Sequence, residues 1–215
     1  MNDQLDALLG SAQDEAPRNL AAHYAPIIRF DAHEPFLPLA VGYTIFQEDG
    51  ASPSFQRGRT ICLTPEGELP AALAIEYAIW WDWDIGHLYE LEHAWVYVDG
   101  HGRVVRAEAS WHGGQHDMRL DGRLALEGDH VVLFSEPGKH AFAPTPDWFR
   151  ERRAEFKRSE TSALAGAGGV LLAPYIAGQV RGRRWRIAWR IPICHSAPSS
   201  QAGTSPRSSP SARRC

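Results

Sequence analysis

Residues 73–111 read LAIEYAIWWDWDIGHLYELEHAWVYVDGHGRVVRAEASW, and three strands can be taken from them directly. From Leu73 to Asp82 the pattern alternates. Ile75, Tyr77, Ile79 and Trp81 fall on one face, and Glu76, Ala78, Trp80 and Asp82 on the other. If that strand continues, Asp84 shares the side of Asp82. Residues 91–98 are rich in β-branched and aromatic side chains and run into Asp-Gly at 99–100, the head of a hairpin whose returning strand is 103–111. Between the first two strands, Asp82, Asp84, His87, Glu90 and Glu92 fall within eleven residues. Ionised carboxylates beside so many aromatic rings are costly unless a cation or a hydrogen-bond donor compensates them, and that tension points to function.

Working outward, residues 26–46 (PIIRFDAHEPFLPLAVGYTIF) read as strand, turn and strand, because Pro35 and Pro38 break any helix. Asp31, His33 and Glu34 sit in that turn. A solvated turn is their plainer reading; facing the central acids across the fold is the alternative. Before them, short helices are expected at 3–10 and from Asn19, a good N-cap, to near Pro26. Residues 47–58 make a polar loop and 59–63 a short strand.

After the hairpin, SWHGGQHD leaves His112 at a strand end before two glycines. Residues 121–130 are rich in turn signals, HVVLFS is a compact buried strand, and EPGKHAF places His140 just beyond its end. Residues 147–159 predict a helix with Trp148, Phe149 and Phe156 on its apolar stripe. Trp185, Ile187 and Trp189 alternate as in a final strand. From Ser196 the chain is Ser/Pro/Arg-rich and cannot build a core. Short strands with turn signals every ten residues or so, and helices at both ends, give a mainly β fold. We expect an antiparallel β-sandwich decorated with terminal α-helices, one domain over 1–195, and a low-complexity tail at 196–215.

At 215 residues, with 44% hydrophobic and 22% charged residues, the composition is that of an ordinary globular protein. No apolar run reaches a membrane-spanning length, and the N-terminus lacks the basic-then-apolar pattern of a signal peptide, so a cytoplasmic location is expected. Cys62, Cys194 and Cys215 are too few and scattered for a disulfide framework or a thiolate zinc site. No phosphate-binding glycine loop or GxSxG occurs, which argues against nucleotide binding and serine hydrolysis. The formal charge of −4 divides into +8 for residues 161–215, which hold eight arginines and no acid, and −12 for residues 1–160. The body favours cations. The basic end reads first as a solvated tail, with no nucleic-acid partner expected.

Glu90 and Glu92, two apart, leave one face of their strand, and Asp82 with Asp84 leave one face of the preceding strand. With His87 in the connection, these side chains can converge at one end of a strand pair. Such a donor set suits a divalent cation: Mg²⁺ or Ca²⁺ first, Mn²⁺ where oxygen dominates, Fe²⁺ or Zn²⁺ if more histidine joins. Without a cation the acids raise one another's pKa. The bland alternative is a solvated strand end with His87 as a turn residue. His112 and His140 lie just past strands, where strand ends can meet at the same edge.

GHLYELEHAWVYV resembles the GHRHDWE motif and following strand of necrosis- and ethylene-inducing-like proteins, and the HEGDWEH stretch of a fungal vacuolar-sorting-associated family. The shared pattern is His, two residues, an acid, one residue, then Glu, which His87, Glu90 and Glu92 match. SWHGG is similar to the HGG after the next strand in those families, and PGKHAF to their G-x-H-A element, so the resemblance spans about residues 73–142. It implies a β-sandwich and, by the necrosis-inducing branch, Mg²⁺ or Ca²⁺ held by the first motif with an upstream Asp, here Asp82 or Asp84. The chain departs from that branch at Leu88, Tyr89, Glu90 and Leu91, where the family has Arg, His, Asp and Trp, and cytolysis is not carried over.

Three functions compete on these residues. The first is a metal-binding sandwich that takes a small polar ligand, with Trp83, Tyr89 and Trp111 as stacking surfaces. In the second, a metal-dependent hydrolase, Glu90 is the general base and His112 or His140 the acid or oxyanion stabiliser. Third is membrane association, in which Arg181, Arg183, Arg184 and Arg186 meet anionic lipid with Trp185 and Trp189. Oligomeric state is not legible.

Overall fold

The computed structural model describes residues 15–32, 34, 36–55, 58–82, 84 and 89–151, with the backbone of 188–189. Helix α1 is Glu15–His23. Strands follow in chain order: β1 (Ile27–Arg29), β2 (Ala40–Phe46), β3 (Gly50–Ala51), β4 (Thr60–Ile61), β5 (Leu73–Trp81), β6 (Glu90–Val98), β7 (Val104–Trp111), β8 (Gly114–Asp117), β9 (Leu126–Glu127), β10 (His130–Ser135) and β11 (Phe142–Ala143). Helix α2 (Pro146–Glu151) and strand β12 (Ala188–Trp189) complete the described elements.

Two five-stranded sheets face each other. One has the order β2-β5-β6-β7-β8 and is antiparallel throughout; the other runs β11-β10-β1-β12, with β9 paired to β10. The expected antiparallel sandwich is therefore present, with one exception: β1 pairs with β10 in parallel, Ile28 opposite Leu133. Two strands about a hundred residues apart need no tight hairpin, so either direction is accessible to them.

The alternation read from residues 73–82 decides what each sheet face meets. Ile75, Tyr77, Ile79 and Trp81 point inward and join Ala94, Val96, Val98, Ala107 and Ala109 of the same sheet. Across the gap they meet Ile28, Val131, Leu133 and Phe142 of the other sheet in one buried cluster. The outer face is buried as well. Phe55, Ile61, Leu63 and Ala71, carried by the β3–β4 hairpin and its flanks, pack over Phe46, Ala74, Trp95 and Tyr97. Arg59 stacks over Trp95 at 4.1 Å and Arg106 over Tyr97 at 3.8 Å, so the guanidiniums cover this second core with their flat faces.

Helix α1 differs from its expected form. Asn19 lies inside it, not at its cap, and the helix begins before Pro17. Pro17 is tolerated because it sits in the first turn, where an N–H has no intrahelical acceptor to lose. Ala21 is fully buried, and its carbonyl accepts the Tyr77 hydroxyl at 2.7 Å. The hairpin at 99–103 is longer than a two-residue Asp-Gly turn. Gly102 takes a positive φ of 79°, and Asp99 accepts the backbone N–H and the side-chain Nε–H of Arg103 and the backbone N–H of His101, which together hold its carboxyl down at about 2.

Strand β8 had no counterpart in the sequence reading. It follows β7 through a turn of His112 and Gly113, with Trp111 opposite Gly114. Both turn residues have positive φ, 46° and 78°, as the two-residue turn that matches strand twist requires. The 147–159 helix is described only to Glu151, and the expected strand around 185–189 only at Ala188–Trp189. The expected helix at 3–10, the 196–215 tail and the arginines of 181–186 lie outside the described residues. No helix among the described residues is long and apolar enough to cross a membrane.

Candidate functional site

The pairing of β5 with β6 sets Glu90 opposite Trp81 and Glu92 opposite Ile79. Residues 90, 92, 94 and 96 therefore share the inner face, and both glutamates enter the end of the inter-sheet space. Glu92 is 5% exposed, and Glu90 is half-buried at the mouth. The Ser110 hydroxyl donates to Glu92 Oε2 and accepts the His93 N–H at 2.6 Å, so a side chain replaces the next rung of the β6–β7 ladder.

The other wall is the tight turn between β10 and β11. The N–H of His140 donates to the Glu136 carbonyl at 2.8 Å, and the N–H of Glu136 to the Ala141 carbonyl at 2.7 Å. Closing so short a turn puts Gly138 at φ 72° and His140 at φ 62°, a conformation that costs a residue with a Cβ. Glu34 braces it from the β1–β2 connection, accepting the N–H of Gly138 at 2.8 Å and that of Phe36 at 3.1 Å. The turn is thus fixed at its backbone and presents three side chains to the acids.

His140 is fully buried and stacks on Trp81, ring centroids 4.7 Å apart and 10° from parallel. Its Nε2 lies 3.6 Å from Glu34 Oε1, and neither ring nitrogen makes a hydrogen bond among the described residues. Lys139 Nζ is 2.5 Å from Oδ2 of Asp84, which is 0% exposed. Glu136 faces the hairpin histidine, with His112 Nε2 at 3.0 Å from Glu136 Oε2.

The electrostatics follow from this crowding. Burial pushes the Glu92 carboxyl up to about 8. The hydrogen bond from Ser110 works against the rise, while the charges of Glu90, Asp84 and Glu136 reinforce it. Asp84 is also raised: its burial outweighs the hydrogen bond and charge of Lys139, and Glu90 adds repulsion. Glu34, Asp84, Glu90, Glu92 and Glu136 meet at one end of the sandwich. Lys139 is the permanent cation among the residues described there.

The sequence-derived candidates divide on this geometry. Asp84, Glu90, Glu92, His112 and His140 come to one sheet edge, as expected from strand ends meeting there. Asp82 does not join them. Strand β5 stops at Trp81, so the alternation that would keep Asp82 and Asp84 on one side lapses. Asp82 is exposed and accepts the Trp80 indole N–H at 3.0 Å. His87 and Trp83 lie outside the described residues. Tyr89 is exposed and stacks on Trp80 at 5.1 Å. Trp111 is half-buried in an aromatic group with Phe149 at 5.5 Å and Trp148 at 4.5 Å.

Of the 31–34 cluster, Glu34 takes the across-fold role while Asp31 is exposed. Ser110, Glu136 and Lys139 were not singled out in the sequence. The signal for the last two was present: both precede His140 within EPGKHAF, directly after a buried strand.

Asp84, Glu90 and Glu92 offer carboxylate oxygens, the donor type that hard divalent cations take. Among the described residues no three His, Cys, Asp or Glu side chains are arranged as a metal-holding group.

No family model matches the sequence, and no curated protein matches it. Among solved structures, NLPPya in complex with glucosamine aligns over 60% of this chain and 66% of its own, at 18% identity and a TM-score of 0.40. The same protein in complex with mannosamine gives 60%, 68%, 17% and 0.39. Necrosis and Ethylene inducing Protein 2 from the causal agent of cocoa's Witches Broom disease aligns over 63% and 68%, at 17% identity and a TM-score of 0.36. The resemblance to necrosis- and ethylene-inducing proteins is partial. It spans about two thirds of the length of those chains.

Proposed function

We propose that the protein binds a divalent cation at the strand edge where Asp84, Glu90 and Glu92 meet, and through it a small polar ligand. The observation that carries this reading is the charge imbalance of the site. Among the described residues five carboxylates converge against one lysine ammonium, and two of them, Asp84 and Glu92, are held above their ordinary pKa first by burial, with the charge of Glu90 adding to both. Buried acids in such excess are stabilised by a cation more than by any neutral partner. Glu90, half-buried at the mouth, is the carboxylate placed to reach both ion and solvent. His87, two residues before Tyr89, is the imidazole candidate for the set by its sequence position. Mg²⁺ or Ca²⁺ suits the oxygen-rich donors best, with Mn²⁺ next.

The aromatic groups supply surfaces for the ligand. Tyr89 stacked on Trp80, and Trp111 packed with Trp148 and Phe149, are chain neighbours of Glu90 and His112 respectively. Flat rings beside a polar anchor suit a compact polar molecule with one apolar face.

The test is the metal content of purified protein by elemental analysis, alongside a His87→Ala/Glu92→Ala double variant. The reading expects a near-stoichiometric divalent ion that is lost in the variant. It fails if neither protein carries metal and Mg²⁺, Ca²⁺ and Mn²⁺ leave the melting temperature of both unchanged.

A further inference from the structure

We infer that Arg59 and Arg106 form the donor side of a binding site for a small oxyanion of the phosphate class, set between the β3–β4 hairpin and the outer face of the β2-β5-β6-β7-β8 sheet. The site is separate from the acidic edge and independent of the cation reading above.

Arg106 belongs to β7 and is 6% exposed. Its Nη2 donates to a neutral acceptor, the Cys62 carbonyl, at 2.5 Å, and its flat face lies 3.8 Å from the centre of the Tyr97 ring. Nε and Nη1 are buried and make no hydrogen bond among the described residues. The neighbouring acids are engaged elsewhere. Glu108 pairs with Arg59, Asp117 with Arg119, and Glu68, which feels the charge of Arg106, gives its two oxygens to Arg119 at 2.6 and 2.7 Å. A buried cation without a carboxylate in contact is costly to keep.

Arg59 reaches the same place from the hairpin, one residue before β4. Its side chain is 7% exposed, pairs with Glu108, and donates from Nη2 to the Tyr97 hydroxyl at 3.1 Å. Its Nε and Nη1 are also buried and make no hydrogen bond among the described residues. Two guanidiniums therefore meet one tyrosine, Arg59 at the hydroxyl and Arg106 on the ring, with Glu108 as the acid that contacts the pair. Like charges so placed repel where solvent screening is weak.

Four buried donor nitrogens and an excess of positive charge specify the occupant. Water would supply acceptors and no charge, and a halide would supply charge at a single centre. An oxyanion supplies both, and guanidinium donors match its oxygens. It would also have a structural effect. Strands β3 and β4 pair only with each other among the described residues, so side chains hold that hairpin to the sheet. Arg59 and Cys62 lie on either side of β4 and Arg106 on β7, so an anion between the arginines ties hairpin to sheet.

The experiment is calorimetric titration of the full-length protein, purified free of phosphate and sulfate, with inorganic phosphate at an ionic strength fixed by NaCl. Wild type is compared with Arg106→Met, which keeps a stem over Tyr97 and loses the charge, and with Arg29→Gln, which removes the same charge from the opposite sheet. Wild type and Arg29→Gln should saturate at one phosphate per chain, with affinity at least about tenfold weaker in Arg106→Met. Should Arg106→Met fail to fold, the arginine Nε–H resonances of wild type are followed by NMR, and two of them should shift and saturate together with added phosphate. Glycerol 3-phosphate distinguishes the source: binding of inorganic phosphate alone marks a free ion, binding of both marks a phosphomonoester group, and either upholds the site. No saturable binding by wild type, unmoved Nε–H resonances, or equal weakening in Arg29→Gln and Arg106→Met overturns the inference and leaves the cation reading untouched.

Discussion

Glu92→Gln is the perturbation that most directly tests the electrostatics of the site. Glu92 is 5% exposed, and its carboxyl is raised from the ordinary 4.5 to about 8, first by burial and then by the charges of Glu90, Asp84 and Glu136. A folded-state pKa above the unfolded one means that the native protein binds the proton more tightly. The resulting stability is fully present below pH 4.5 and is lost as pH rises through 8. Over the whole interval the loss is about 5 kcal/mol, at about 1.4 kcal/mol per pH unit. Asp84 is raised as well, and its own loss overlaps the acid end of that range. The informative window is therefore from about pH 6.5 to about pH 8.5, where Glu92 alone accounts for about 2 kcal/mol. Glutamine cannot ionise, and it still offers Ser110 an acceptor. Urea denaturation in the presence of chelator, at several pH values across that window, should show wild type losing about 2 kcal/mol and Glu92→Gln staying nearly flat. Parallel losses in the two proteins would refute the placement of Glu92 as a buried acid among acids.

Three further outcomes are expected. Trp81→Ala removes a fully buried ring that stacks on His140 and packs near Phe142, and should cost about 3–5 kcal/mol by denaturant midpoint. Glu76→Leu leaves the buried Trp95 indole N–H without its 2.7 Å acceptor and should cost about 1–3 kcal/mol, with a change in near-ultraviolet circular dichroism from Trp95. Gly122→Ala has open space around the new methyl but a φ of 74°, so thermal unfolding should report a loss of about 1 kcal/mol from backbone strain alone.

The central hairpin was legible because its period is two and both faces are buried for different reasons. The inward set at 75, 77, 79 and 81 is apolar throughout, while the outward set mixes Glu76 with Ala78 and Trp80, and alternation separates them. Less legible was anything set by where a strand stops. Asp82 and Asp84 look equivalent in sequence, yet β5 ends at Trp81, leaving one carboxylate in water and the other against Lys139. The meeting of His112 and His140 with the acids was readable as strand ends sharing an edge. Glu136, which faces His112, and Lys139, which pairs with Asp84, were not, because a charged residue in a Pro-Gly turn carries the same local signature whether it faces solvent or a core. The parallel pairing of β1 with β10 had no local sign at all, since the two strands lie far apart in the chain.

Two buried polar groups, one on each face of the β2-β5-β6-β7-β8 sheet, are satisfied differently. On the outer face Glu76 is 1% exposed, and each carboxylate oxygen has a donor: the Ser54 hydroxyl at 2.6 Å and the Trp95 indole at 2.7 Å. His93 beside it is held neutral by burial, its pKa well below the ordinary value, and its Nε2 lies 2.9 Å from Ser54 Oγ. Those bonds satisfy both Glu76 oxygens and tie Ser54, in the 47–63 segment, to the outer face of the sheet. At the edge of the inner face, Asp84 and Glu92 each carry a raised pKa, set first by burial and opposed by the Lys139 ammonium and the Ser110 hydroxyl respectively. A fold that can satisfy Glu76 with two neutral donors has the means to satisfy a buried acid. At the inner edge, by contrast, five acids and one lysine come together among the described residues, and burial holds two of those acids above their ordinary pKa.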